Sequence, residues 1–168
     1  IDASLDKVHK MNKVTNSRGP DFNNIYHDNE VIFGHNRLAI IDPNELSNQP
    51  FISNDGNIVL TYNGELYNFL ELKNKLSKTY DFKTASDTEV ILYYYNIYKE
   101  KCFEFFEGMW SIIIYDRKYQ KIIASRDRFG EKPLLLFNKN GEIILSSQIS
   151  YINKLLGTNP NFNGKKIN

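Results

Sequence analysis

Apolar residues recur at three-residue intervals at the start of the chain, at Leu5, Val8 and Met11. That spacing places them on one face of a helix and predicts a short amphipathic helix over residues 2–14. Arg18-Gly19-Pro20-Asp21 ends it, because Gly-Pro punctuates regular structure. Residues 31–41 are β-branched and apolar enough for a strand. Residues 51–53 and 58–62 flank Asn54-Asp55-Gly56-Asn57, a hairpin signal. Two helices follow. One starts near Asn68, its expected N-cap, and carries Leu70, Leu72 and Leu76. The other opens at Ser86-Asp87-Thr88-Glu89, a capping-box pattern, and continues through Val90, Ile91, Tyr94 and Ile97. The remainder reads as a meander, with strands over 110–115 and 121–125, then 134–137 and 142–146. Helices lie between groups of strands instead of alternating with single ones, which favours an α+β fold with antiparallel sheets. The polar tail over 158–168, with Pro160 and Gly164, reads as the start of a linker.

Composition changes this picture little but closes several doors. The 168 residues are enough for one domain with a sizeable core. Aromatics at 14% argue against disorder. A formal net charge of +1 leaves no basic footprint for nucleic acid or an anionic membrane. No apolar run is long enough to span a bilayer, and no signal peptide opens the chain. With one cysteine and three histidines (His9, His27, His35), a Cys/His metal cluster is not expected. Walker and dinucleotide-binding glycine motifs are absent. A lone Cys agrees with a reducing, cytoplasmic setting. The first residue is Ile1, so the expectation is a processed chain or a piece of a longer one.

Candidate chemistry sits where polar residues interrupt apolar segments. A His35–Cys102 dyad is disfavoured, since Cys102 lies among Phe103, Phe105 and Phe106, and apolar burial makes a thiol inert. Arg37 stands in Gly34-His35-Asn36-Arg37-Leu38-Ala39-Ile40-Ile41-Asp42, and a guanidinium there can hold a carboxylate in a bidentate fork. Asn63-Gly64-Glu65 follows a strand-like run; an Asn amide beside a Gly N–H makes a sensible pair of oxyanion donors. Asp87 sits at a helix start. Each has a plainer reading: Arg37 pairing with Asp42 at the surface, Asn63-Gly64 as a turn, Asp87 complementing a helix dipole.

Taken in order, five motifs form a specific series: Arg18-Gly19-Pro20-Asp21, His35 to Asp42, Tyr62-Asn63-Gly64-Glu65-Leu66-Tyr67-Asn68, Ser86-Asp87-Thr88-Glu89, and Arg126-Asp127-Arg128-Phe129-Gly130-Glu131-Lys132-Pro133-Leu134. From about Leu5 to Leu156 the chain resembles the N-terminal glutaminase domain of glutamine-dependent asparagine synthetases, a class II glutamine amidotransferase. The resemblance implies an N-terminal-nucleophile hydrolase fold, an αββα sandwich of two stacked antiparallel sheets flanked by helices. Residues 1–157 would form that domain and 158–168 the start of a linker to a synthetase domain.

The implied reaction is hydrolysis of L-glutamine to glutamate and ammonia by an N-terminal Cys. Asn63 and Gly64 would form the oxyanion hole. Arg37 would hold the α-carboxylate of glutamine, Asp87 its α-ammonium, and Glu65 would line the same end of the pocket. No metal or cofactor is implied in this domain. ATP and Mg2+ are expected in the synthetase domain, which would pass the ammonia to aspartate. Partners implied are glutamine, that second domain and a second copy in a homodimer, with no nucleic acid and no membrane. The Arg18–Asp21 and 126–134 segments are implied to shape the region around the nucleophile and the face toward the second domain.

Several departures bear on these expectations. The family begins Met-Cys-Gly-Ile on a Gly-rich strand, about ten residues ahead of the helix matched by residues 2–14, and that segment is not in this sequence. The chain alone is therefore expected to be inactive. Ser17 stands where His is common, and Ser147-Gln148 where Ser-Glu is usual. Two alternatives remain: a retained non-catalytic domain, as in synthetase-like enzymes that no longer hydrolyse glutamine, or an amidotransferase acting on a sugar acid.

Overall fold

The computed structural model describes residues 2–139 and 141–157. The predicted first helix forms as α1 (Asp2–Val14). A hairpin of β1 (Phe22–His27) and β2 (Ile32–Arg37) follows, then a short β3 (Phe51–Ile52) and a long β4 (Ile58–Leu66). Helices α2 (Phe69–Leu76) and α3 (Asp87–Tyr98) come next, with a 3-10 segment at Lys99–Phe105. Strands β5 (Gly108–Asp116), β6 (Lys121–Arg126), β7 (Leu135–Lys139) and β8 (Glu142–Ser146) lead to α4 (Ile149–Leu156).

All strand pairings are antiparallel. One sheet has the order β3-β4-β5-β6, and β1-β2 and β7-β8 are two further ladders. The second layer is thus two hairpins rather than one continuous ladder. Alternation along β4 explains the layering. Ile58, Leu60, Tyr62 and Leu66 face α2 and α3 and join Val90, Ile91, Tyr95 and Phe106 in the main core. Val59 turns the other way and packs with Tyr115, Val31 and Phe33 between the sheets. On the far side of the hairpins, α1 covers β1 and β2, and α4 packs on β8 and α1. The α+β sandwich expected from the sequence is what forms.

Three local expectations are corrected. The strand predicted over 31–41 stops at Arg37, because Asp21 takes over its continuation. The Asp21 N–H donates to the Arg37 carbonyl (3.2 Å), and its carboxylate accepts from the Ala39 N–H (2.8 Å). Leu38 and Ile40 are left exposed on the turn that follows. Asn68 precedes α2, but its side chain does not cap it. Instead it ties down the far side of the 3-10 segment, donating to the Phe105 carbonyl (2.9 Å) and accepting from the Glu107 N–H (3.2 Å). The capping box at α3 is half made. Ser86 Oγ accepts from the Thr88 N–H (3.1 Å), while the Glu89 carboxylate takes the N–H groups of Lys83 and Thr84 rather than that of Ser86. Strand β1 and helix α4 were not foreseen, and the linker expected over 158–168 lies outside the described residues.

The 126–134 segment is a self-bracing loop. Asp127, 5% exposed, accepts from the N–H groups of Trp110, Phe129, Glu131 and Lys132. Arg126 donates to the carbonyls of Gly130 and Lys132. Burial raises the Asp127 carboxyl, but these backbone donors outweigh it and hold the group below the ordinary carboxylate range. A depressed folded value contributes stability present above the unfolded value of about 4 and lost as pH falls through the folded one. Asp127→Asn is expected to lower Tm at pH 7 by about 5 °C and to shrink the acid-side loss of stability. Thermal melts from pH 7 down to pH 2 check both; an unchanged acid limb contradicts the assignment.

Candidate functional site

A cavity of about 500 Å3 opens between the β1-β2 hairpin and the four-stranded sheet. Arg37, Asn63, Gly64, Glu65 and Asp87, far apart in sequence, all line it. Three elements bring them there: β2, β4 and the N-terminus of α3.

Strand β4 supplies the centre. The sequence left open whether Asn63-Gly64 is a turn; it is not, since Asn63 pairs with Ser111 and Gly64 with Trp110 in an unbroken ladder to β5. Among the described residues the other edge of β4 has no neighbouring strand beyond Leu60, because β3 opposes only Val59 and Leu60. Along that open edge the Tyr62 N–H donates to Gln49 Oε1 (2.6 Å) and the Leu66 N–H to Asp87 Oδ2 (3.2 Å). Alternate residues of a strand point their N–H groups the same way, so the Gly64 N–H faces this edge between the two. Asn63 and Glu65 project toward the cavity, opposite Tyr62 and Leu66. Among the described residues the Asn63 side chain has no hydrogen-bond partner. A free amide and a strand-edge N–H from consecutive residues can serve one oxyanion.

Gly64 is sterically required. A Cβ there would run into the Met109 carbonyl oxygen and lie 2.6 Å from Tyr62 Cε2 and 2.9 Å from Trp110 Cα.

Asp87 opens α3 and is 4% exposed. Its Oδ2 accepts from the Tyr62 hydroxyl (2.8 Å) and the Leu66 N–H; Oδ1 has only Ser86 Oγ at 3.5 Å. Burial raises the Asp87 carboxyl above its ordinary value, with these donors acting in the opposite direction. Burial and the neighbouring Asp87 charge push the Tyr62 phenol well above its ordinary value, so it stays protonated and donates.

Arg37, the last residue of β2, is buried. It does not pair with the Asp42 carboxylate, as the plain reading had it. Its Nη1 donates to the Asn44 carbonyl (3.1 Å) and Asn48 Oδ1 (2.9 Å), and its Nη2 to the carbonyls of Ile41 (3.1 Å) and Asp42 (2.5 Å). A guanidinium has five N–H donors, and these contacts engage the four on the Nη atoms, leaving Nε. A ligand carboxylate therefore meets a caged fork that must exchange partners to bind it. Asp42 holds the cage shut from outside: its Oδ2 accepts from Ser47 Oγ (2.6 Å) and from the Ala85 N–H (2.7 Å), just ahead of α3.

His35 and Cys102, disfavoured as a dyad from the sequence, lie on opposite sides of the sheet. His35 lies between Phe33 and Arg37 on β2 and lines the cavity; burial and the Arg37 charge push its pKa down to about 4. Cys102 is fully buried in the main core, where burial pushes its thiol up to about 12. Residues the sequence reading did not single out for the site are Gln49, Tyr62 and Lys132, which line the same cavity. The Gly19 turn seats Arg18 at its rim: Gly19 is pressed against the Asn36 and Arg37 backbone so closely that a Cβ would clash.

Among the described residues no cluster of three or more His, Cys, Asp or Glu is placed to hold a metal ion, and no helix is long and apolar enough to cross a membrane.

Known proteins resemble this chain in fold and in sequence. A B. subtilis glutamine phosphoribosylpyrophosphate amidotransferase structure superposes with a TM-score of 0.64 over 74% of this chain and 29% of that one, at 23% identity, which supports the shared fold. A putative glutamine-hydrolyzing asparagine synthetase of Methanocaldococcus jannaschii is 38% identical over 165 residues, 88% of this chain and 32% of the relative. A probable glutamine-hydrolyzing asparagine synthetase of Schizosaccharomyces pombe is 42% identical over 130 residues, covering 77% and 23%. A Bacillus subtilis asparagine synthetase is 44% identical over 137 residues, covering 79% and 17%. The chain thus spans a third or less of the length of these relatives. The family profile described as a glutamine amidotransferase domain matches residues 2–168, and the chain belongs to that family.

Proposed function

We propose that this chain is the glutamine-hydrolysing part of an asparagine-forming enzyme. The observation that carries the reading is the single cavity on which two oxyanion donors (Asn63 and Gly64), a carboxylate (Asp87) and a guanidinium (Arg37) converge. Glutamine has complementary groups: a side-chain amide that develops an oxyanion, an α-ammonium and an α-carboxylate. A thiolate from a Cys just after the initiating Met, upstream of Ile1, attacks the amide carbon. The thiol's proton passes to the α-amino group of that Cys, the tetrahedral oxyanion forms against the Asn63 amide and the Gly64 N–H, the amide nitrogen takes that proton and leaves as ammonia, and water hydrolyses the thioester to glutamate and the free thiol. Asp87 and Glu65 lie at the ammonium end, and Arg37 takes the carboxylate once its loop partners yield. Aspartate activation with ATP and Mg2+ belongs to the portion of the relatives this chain does not cover, as does the acceptor of the ammonia.

One observation favours a second reading. The four Nη hydrogen bonds of Arg37 are all made within its own loop, as in a domain kept for structure alone. A full-length protein separates the two. On the first reading it releases glutamate from glutamine, replacing the Cys that follows Met with Ala stops this, and the 168-residue chain alone releases none. Absence of that Cys, or no glutamate release when it is present, establishes the scaffold reading instead.

A further inference from the structure

Asp87 is placed to meet a cation, yet little in α3 fixes which of its two oxygens does so. The terminal torsion of an aspartate is broad and roughly two-fold, so its carboxylate can present either oxygen. Here the ambiguity is removed from β4. The Tyr62 ring is buried in the core, 5% exposed, and lies along its own strand beneath Gly64. The 2.6 Å between Tyr62 Cε2 and the position a Cβ of residue 64 would take leaves no room for any side chain there. The bare glycine is what lets the ring lie flat, and from that position its hydroxyl reaches Asp87 Oδ2 at 2.8 Å. The Leu66 N–H meets the same oxygen at 3.2 Å. Oδ2 is thereby occupied by two donors, while Oδ1 has only the long contact from Ser86 Oγ (3.5 Å).

We propose that Tyr62 is a positioning residue whose hydroxyl, brought over the bare Gly64, holds Asp87 Oδ2 so that Oδ1 faces the ammonium of a bound amino acid. This rests on the glutamine-binding reading of the cavity. It gives Gly64 two tasks, an N–H on the open edge and space for the ring on the core side, and so links the oxyanion end of the cavity to the ammonium end.

The charged and titratable groups around the same space are Glu65 from β4, Arg37 and His35 from β2, Arg18 at the rim, Lys132 from the 126–134 loop, Tyr151 from α4, and Asp42, which reaches Ala85 just ahead of α3. The Tyr62 hydrogen bond favours the ionised form of Asp87. Its loss therefore moves protonation of Asp87 to higher pH.

The test uses the full-length protein with L-glutamine and compares wild type, Tyr62→Phe and Asp87→Asn. Tyr62→Phe keeps the ring and its packing. It is expected to raise KM for glutamine about tenfold with kcat within about twofold, and to shift the acid limb of 1/KM upward by about one pH unit. Burial pushes the pKa of His35 down to about 4, so it too can shape an acid limb, and Asp87→Asn assigns that limb: the variant is expected to lose it. An unchanged KM and acid limb in Tyr62→Phe overturn the positioning role while leaving the glutaminase reading intact. A fall in kcat or folded fraction with the acid limb unmoved also overturns it, as a structural effect only. Failure of the wild type to hydrolyse glutamine overturns the functional reading and this inference together.

Discussion

Gly64→Ala is expected to abolish glutamine hydrolysis in the full-length protein and to lower the Tm of this domain by about 9 °C. The added methyl meets backbone on one side, at the Met109 carbonyl and Trp110 Cα, and the Tyr62 ring on the other. A backbone obstacle cannot rotate aside, so β4 must move off β5 or the Tyr62 ring must leave its place. Overpacking of this kind costs about 3 kcal/mol, and for a domain of this size each kcal/mol is worth about 3 °C. Activity falls further than stability, because the Gly64 N–H on the open edge shifts with the strand and an oxyanion donor tolerates little displacement. Differential scanning calorimetry and glutamate release under conditions where the variant remains folded separate the two losses. A folded variant with wild-type turnover would falsify the place given to Gly64.

Asn63→Ala is expected to act oppositely, on turnover and hardly on the fold. The Asn63 side chain is exposed to the cavity and makes no hydrogen bond among the described residues, so its removal leaves no buried group unpaired. Tm should stay within about 1 °C, since substitutions away from packed or paired positions are small. Loss of one oxyanion donor lowers kcat by about 10^2 to 10^3. KM for glutamine should change little, because the donor acts on charge that appears only in the transition state. Steady-state kinetics decide it: a raised KM with kcat intact assigns Asn63 to ground-state binding instead.

These two neighbours differ in how far they could be read from sequence. Their chemical types pointed to oxyanion donation, but Asn-Gly is equally a turn signal, and only the ladder to β5, residues more than forty positions away, decides for strand. The end of β2 was hidden for a similar reason. Leu38 to Ile41 have strand propensity, yet Asp21, sixteen residues before Arg37, supplies the bonds that end it. Strand β1 carries Asn23 and Asn24 and lacks an apolar period, so its pairing with β2 had no local signature. By contrast the Asp55-Gly56 hairpin and the Ser86 cap were legible because their causes are contained within a few residues. Gly56 has a φ of +70°, which glycine adopts without strain, and Ser86 Oγ meets the Thr88 N–H two residues on. At the site, residue types were legible and their states were not. The carboxylate-binding role expected for Arg37 follows from its chemistry, whereas its cage of loop oxygens depends on a fold in the 41–48 segment that no motif encodes.

Asp42 bridges that segment to Ala85, and the bond has a consequence for the cavity. The loop that cages the guanidinium at one end and the turn that launches α3 at the other are clasped together by one carboxylate. The Arg37 loop and the α3 turn are then coupled rather than independent. On the proposed function, a clasp of that kind would keep the guanidinium and the Asp87 carboxylate in step, as the two charged groups of a single α-carbon require, and loosening it would blunt that fit before it altered the chemistry at Asn63 and Gly64.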